Sequence, residues 1–170
     1  VTFNTAEGPQ IRIGEVEFVG NTVKSDGPLR GRLQENKPRG LLGFITGGGT
    51  WQQAMFEADA DLVQQYLQND GYARARVGQP ELVTLRETPE ERWVRLRIPV
   101  TEGPRYRMGE LRFAGNDLVP SEALQTLYDL QPGEWYSRKE LFDGHRATQE
   151  VYGRSGYMEW APAAVFDYSD

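Results

Sequence analysis

Residues 43–50 read Gly-Phe-Ile-Thr-Gly-Gly-Gly-Thr, one position short of the phosphate-cradling loop of nucleotide hydrolases: Gly43, four residues, Gly48, then Gly49 and Thr50 where Lys and Ser/Thr are required. In that loop backbone N–H groups wrap the phosphates, the Lys neutralises the outer ones and the hydroxyl holds magnesium. Here glycine stands in place of the cation, and a glycine-rich turn ahead of a helix is also the ordinary way for a chain to reverse through positive φ. A nucleotide-binding regulatory domain is therefore only the alternative reading. The single histidine, His145, sits beside Asp143, Gly144 and Arg146 on a predicted helix face, and with no cysteine in the chain it has no nucleophile to activate. It reads as a surface residue. Asp59 and Asp61, two apart on a helix, diverge and read as solvated charges. Glu15 and Glu110 recur at equivalent strand positions and read as surface patterning. No catalytic residue, metal ligand set or cofactor site is expected, so the chain is read as a non-enzyme.

The 170 residues carry a net charge of −6, with no stripe of Lys or Arg, which argues against nucleic acid or an anionic membrane surface as partner and leaves proteins. Zero cysteines remove disulfide and thiol chemistry and leave the compartment open. The longest apolar stretches, such as 41–45, are far shorter than the ~20 residues that span a bilayer, and no signal-peptide pattern opens the chain.

An internal repeat organises the sequence. Residues 7–21 (EGPQIRIGEVEFVGN) align without gaps on residues 102–116 (EGPRYRMGELRFAGN), with nine of fifteen positions identical at an offset of 95. Farther on, Gly71-Tyr72 matches Gly156-Tyr157 at an offset of 85, so the first copy carries ten extra residues, placed near 39–50. The LLGFI run within them either covers its own module or docks a neighbour. Leu42, Phe44 and Trp51 are the candidates for partner contact there.

Each copy opens with a strand whose alternation slips by one: Ile11 and Ile13, then Val16 and Phe18; Tyr106 and Met108, then Leu111 and Phe113. A bulge at Gly14-Glu15 and Gly109-Glu110 would bring both pairs inward. Gly20-Asn21 and Gly115-Asn116 end these strands in turns. A short helix follows, carried by Leu29 and Leu33 in one copy and by Leu124, Leu127 and Tyr128 in the other. Capping boxes Thr50-x-x-Gln53 and Ser137-x-x-Glu140 announce a second helix. Its buried stripe is predicted as Met55, Leu62 and Tyr66, and as Leu141, Val151 and Tyr152. Gly71 and Gly156 end it, and Tyr72 and Tyr157 are expected to pack in the core. Two strands then come in copy one, over 73–85 and 93–100, the second with Val94, Leu96, Ile98 and Val100 inward and Arg95 and Arg97 outward. Copy two stops after the equivalent of the first of these, a strand expected over 158–168. Residues 1–6 read as the end of a preceding copy or a linker, 7–102 as the first module and 103–170 as a second module lacking its last strand.

With strand–helix–helix–strand–strand copies, openings of the form EGPxxRxGExxFxGN and exits at Gly-Tyr, the sequence resembles the POTRA (polypeptide-transport-associated) domains, and the resemblance covers nearly the whole chain. It implies an α+β fold in which each module is β-α-α-β-β, a three-stranded mixed sheet covered on one face by two antiparallel helices. The long insertion followed by a compact copy is similar to the third and fourth of the five modules of outer-membrane protein insertases. TamA-like and two-partner secretion transporters carry related modules and remain the alternative. The resemblance implies a periplasmic scaffold attached to the outer membrane by a C-terminal barrel. Its implied partners are nascent outer-membrane proteins, lipoproteins of the BAM type and periplasmic chaperones, with no nucleic acid. Incoming chains would add to the edge strand, whose residues here are Ala73, Ala75, Val77, Leu82, Val83 and Leu85 in copy one and Trp160, Val165 and Phe166 in copy two. The break at 78–80 would limit uncontrolled pairing.

Overall fold

The computed structural model describes residues 8–38 and 49–169. The chain divides into two compact units, Val1–Leu67 with Arg74–Pro104, and Gln68–Ala73 with Arg105–Asp170.

Unit 1 runs β1 (Gln10–Val19), α1 (Asp26–Arg30), a 3₁₀ turn (Gln53–Met55) leading into α2 (Phe56–Gln68), β2 (Arg76–Val77), β3 (Glu81–Glu87) and β4 (Glu91–Thr101). β4 is the hub of the sheet: β1 pairs with it in parallel, while β2 and β3 pair with it antiparallel. Its alternation explains the role, because Val94, Leu96, Ile98 and Val100 are all buried, and each such side chain contributes about 1.5–3 kcal/mol by leaving water. The slip in β1 is resolved as expected. Register passes from Ile13↔Val94 to Glu15↔Arg95, leaving Gly14 as the extra residue, and Ile13, Val16 and Phe18 are all buried.

The helix stripe differs from the prediction by one position. Phe56, Asp59, Val63 and Leu67 are buried, while Met55 is exposed and Leu62 and Tyr66 are half-buried. The buried members lie three or four residues apart and include an aspartate, which a search for apolar periodicity passes over. Thr50 is also not the helix cap. Its hydroxyl accepts from Arg12 Nη1 at 2.7 Å, and Gln52 occupies the N-cap without a side-chain cap bond. The repeat explains this, because the offset of 85 aligns Gln52, not Thr50, with Ser137.

Unit 2 repeats the plan with α3 (Ser121–Gln125) and α4 (Arg138–Arg154). Ser137 caps α4 by accepting from the Glu140 amide at 3.3 Å, as expected. Leu141, Gly144, Thr148 and Tyr152 are buried at the positions equivalent to Phe56, Asp59, Val63 and Leu67. Gly144 is required by packing, since an added Cβ would fall on the Tyr128 ring. The corners agree too: Asn21 Nδ2 donates to the Lys24 carbonyl at 2.8 Å and to Asp26 at 3.0 Å, and Asn116 Nδ2 donates to the Val119 carbonyl and Ser121 at the same two distances.

The strands of unit 2 do not form. Neither 109–113 nor 157–169 contains strand, and only the isolated bridge Arg107↔Trp135 is present. Every ladder among the described residues of unit 1 passes through β4, and the offset of 85 that holds after the insertion would put its equivalents at 176–186, outside these 170 residues. Among the described residues 109–113 and 157–169 have no such hub strand beside them. The expected strand over Met158–Tyr168 is corrected accordingly, and Tyr157, expected in the core, is exposed.

A candidate polypeptide-binding edge

A sheet hung on a central strand has two borders, and in unit 1 they differ. The border of β1 is partly occupied: Ile13 donates its amide to Gly49 and Trp51 donates to Ile11, across the bridge Arg12↔Thr50. Gly49 and Thr50, the last two positions of the phosphate-loop resemblance, thus serve the sheet; 39–48, with Leu42, Phe44 and the rest of that loop, lie outside the described residues. The border of β3 carries a ladder on the β4 side alone, and among the described residues no backbone hydrogen bond is made on its other side. Such a row of unpaired N–H and C=O groups can accept an added strand.

Cross-strand pairing sets what β3 presents. Leu82↔Leu96 and Thr84↔Val94 lie on the covered face, whereas Glu81↔Arg97 and Val83↔Arg95 lie on the open one. Register shifts at Leu85, a bulge that leaves this residue exposed. Leu85 reaches across Trp93 toward Gly14, where its Cδ1 would stand 3.2 Å from an added Cβ. Around these apolar groups runs a charge ladder: Arg95 to Glu15 at 2.6 Å, Arg97 to Glu17 at 3.5 Å and to Glu81 at 3.1 Å, and Arg92 to Glu87 at 2.7 Å. The edge is a short, bulged strand with Val83 and Leu85 on its open face and alternating charges around them. Glu15, read as patterning, is part of that ladder.

The other expected site residues lie elsewhere. Val77 is in the two-residue β2 and half-buried. Ala73 and Ala75 precede the strands and are buried. Trp51 is half-buried with its ring 5.7 Å from Phe56. Trp160 stacks on Tyr152 at 4.0 Å, and Val165 and Phe166 are exposed on the unladdered C-terminal stretch. His145 is corrected from the surface to a half-buried position, its ring 5.8 Å from both Tyr128 and Phe142; burial pushes its pKa down.

Three structural sites escaped the sequence. Asp59, expected to be solvated, is buried and accepts from the amides of Gln34, Glu35 and Asn36 at 2.6, 3.2 and 2.7 Å, holding the stretch that leads into the insertion. Glu102, the first residue of the second EGP motif, is buried and accepts from the Thr22 amide and hydroxyl and from the amides of Val23 and Lys24. Burial raises its pKa, but those bonds together outweigh it and hold the carboxyl below its ordinary value. The recurrence of Glu at both EGP motifs was the available signal. Trp135 lies between the guanidinium groups of Arg105 and Arg107, at 3.9 and 3.8 Å from its ring centre. No group of three His, Asp or Glu among the described residues is placed to hold a metal. None of the helices described is long and apolar enough to cross a membrane.

The fold and its matched corners define a tandem of α+β repeat modules. Residues 11–103 and 106–165 match the family model POTRA, surface antigen variable number repeat, and the chain belongs to that family. It is 28% identical over 152 residues to the outer membrane protein assembly factor BamA of Neisseria meningitidis, covering 89% of this chain and 19% of that protein. It is 29% identical over 158 residues to a putative outer membrane protein assembly factor of Treponema pallidum, covering 92% of this chain and 18% of that protein. The chain therefore spans about a fifth of the length of these relatives. Among solved structures, Haemophilus influenzae BamA POTRA3-5 superposes with a TM-score of 0.62 at 19% identity, covering 84% of this chain and 50% of that one. This likeness shows the fold.

Proposed function

We propose that the chain is part of the periplasmic arm of an outer-membrane protein assembly factor, the third and fourth of its POTRA modules, acting as a non-enzymatic scaffold. Unfolded outer-membrane proteins add as a strand on β3 of unit 1, while lipoproteins of the BAM type and periplasmic chaperones dock on other surfaces of the arm. The single observation that carries the reading is the asymmetry of the sheet borders, with β1 partly covered by 49–51 and β3 bonded on one side alone. Backbone pairing supplies affinity that tolerates varied sequences, and Val83 and Leu85 on the open face tune it. The bulge at Leu85 shortens the edge available for pairing and so guards against self-association. The relatives' names, as assembly factors, support the scaffold role.

The test is an NMR titration with peptides taken from outer-membrane β-strands. Amide shifts are expected along Glu81–Glu87 and in the paired β4 residues. Shifts confined to α1 and α2 would mean that peptides lie in a helical groove, and the edge reading would fall.

A further inference from the structure

The β1 border of unit 1 already holds an extended segment. Residues 49–51 run antiparallel to β1: the Ile13 amide donates to the Gly49 carbonyl at 2.6 Å and the Trp51 amide to the Ile11 carbonyl at 3.0 Å, on either side of the bridge Arg12↔Thr50. Farther along β1 the Phe18 amide is taken by Asp26 Oδ2 at 3.2 Å. The same strap recurs in unit 2, residue for residue at the two offsets of the repeat. Met108 donates to Glu134 at 2.7 Å and Tyr136 to Tyr106 at 3.0 Å, across the bridge Arg107↔Trp135. Because it is present in the copy without the ten extra residues, the strap belongs to the module and not to the insertion.

Each strap is locked by the arginine opposite its middle residue, and the locks differ. In unit 1 Arg12 is held by Glu91 on β4 at 3.1 Å, and its Nη1 donates across the border to the Thr50 hydroxyl at 2.7 Å. In unit 2 the middle residue is Trp135, clamped between Arg105 and Arg107, and Arg105 is itself tied to Asp70 at 2.8 Å. The next residue of each strap is aromatic: Trp51, half-buried with its ring 5.7 Å from Phe56, and Tyr136, which is buried. A hydroxyl fastens the middle of one strap and an indole between two cations the middle of the other, so unit 1 has the weaker closure. A short edge segment of this kind opens without unfolding the sheet behind it.

We propose that the β1 border of unit 1 is a second strand-accepting surface, shut by 49–51 and opened when a competing segment displaces them. The occupant is an extended stretch of another polypeptide, antiparallel to β1, with a hydroxyl- or carboxylate-bearing residue opposite Arg12 and an aromatic residue next to it. The strap displays that chemistry. Backbone groups of Ile11 and Ile13 supply sequence-tolerant pairing, Arg12 selects the polar residue, and the place beside Phe56 takes the ring. A tethered strap competes at high effective concentration, so the border stays closed to segments that lack this pair of residues. The surface lies on the other side of the sheet from β3, and the inference stands whether or not β3 captures chains.

The probe is the strap itself, a synthetic peptide of residues 49–56, unchanged or with Thr50→Lys. The receiving chains are the native 170 residues and the variant Trp51→Pro, which loses the amide that bonds Ile11 and the ring beside Phe56 but keeps Arg12 and β1 unaltered. With the unchanged peptide the variant is expected to show amide shifts at 11–13, at an affinity about tenfold above that of the native chain, whose border is open for only a small fraction of the time. The lysine peptide should bind about fivefold more weakly, and adding Arg12→Ala to the variant should erase that preference. Should Trp51→Pro disturb the amides of Val94 and Leu96, the chain variant Thr50→Lys, which sets a like charge against Arg12 at a half-buried position, opens the strap in its place. Equal affinities of the native and opened chains, equal affinities of the two peptides, shifts confined to 81–87, or no shift in either opened chain overturn the proposal.

Discussion

Replacing Glu102 by Gln tests whether the EGP motif is a structural clasp. The carboxylate receives the Thr22 amide at 2.9 Å, the Thr22 hydroxyl at 2.6 Å, the Val23 amide at 2.9 Å and the Lys24 amide at 3.4 Å. Gln keeps the shape but removes the charge and turns an NH₂ toward donors. A hydrogen bond to a charged group is worth about 1.5–3 kcal/mol, and the solvent at Thr22 and Val23 can replace part of what is lost, so the expected cost is about 2 kcal/mol. For a unit near a hundred residues this lowers Tm by roughly 10 °C. Amides of Val94 and Leu96, deep in unit 1, should report the change in urea unfolding followed by NMR, without mixing in the second unit. The pH dependence adds a second check. Because the folded pKa is depressed below the ordinary 4.5, the native carboxylate's contribution is complete above the unfolded pKa and is lost as pH falls through the folded one. The native chain and Glu102→Gln should therefore differ at neutral pH and converge in acid. A difference under about 0.5 kcal/mol at pH 7, the scatter of ordinary surface substitutions, or one that persists unchanged into acid, would refute the clasp.

Asp59→Ala should destabilise unit 1 by about 3 kcal/mol, since it removes a buried carboxylate that accepts three amides and leaves that of the buried Asn36 without its acceptor, while Asp61→Ala should stay within about 0.5 kcal/mol; thermal unfolding of the two variants decides. Gly71 and Gly156 share φ near +93° and +95°, yet a Cβ on Gly71 would approach Arg105 Cγ to 2.8 Å, whereas Gly156 has open space. Gly71→Ala should thus cost about 2 kcal/mol and Gly156→Ala about 1, and equal losses in urea titrations would show that the backbone conformation alone matters.

The sequence by itself determined the repeat, the order of elements, the β1 bulge and the inward face of β4. These are local matters, because periodicity, a glycine at a slip and a Gly-Asn corner act over a few residues. The two offsets of the repeat also place ten extra residues in the first copy, an expectation that falls on 39–50, most of which lies outside the described residues. Tertiary structure alone decided the rest. Asp59 could be buried because three amides from a distant stretch turn toward it, and apolar patterning has no term for such a partner. Thr50 was drawn from its capping role by Arg12 on a strand thirty-eight residues away. The bulge at Leu85 and the difference between the two sheet borders are properties of pairing, fixed only when β4 takes its place between its neighbours. The same dependence leaves 109–113 and 157–169 without ladders: strand propensity is present there, but a strand exists by the partner that bonds it.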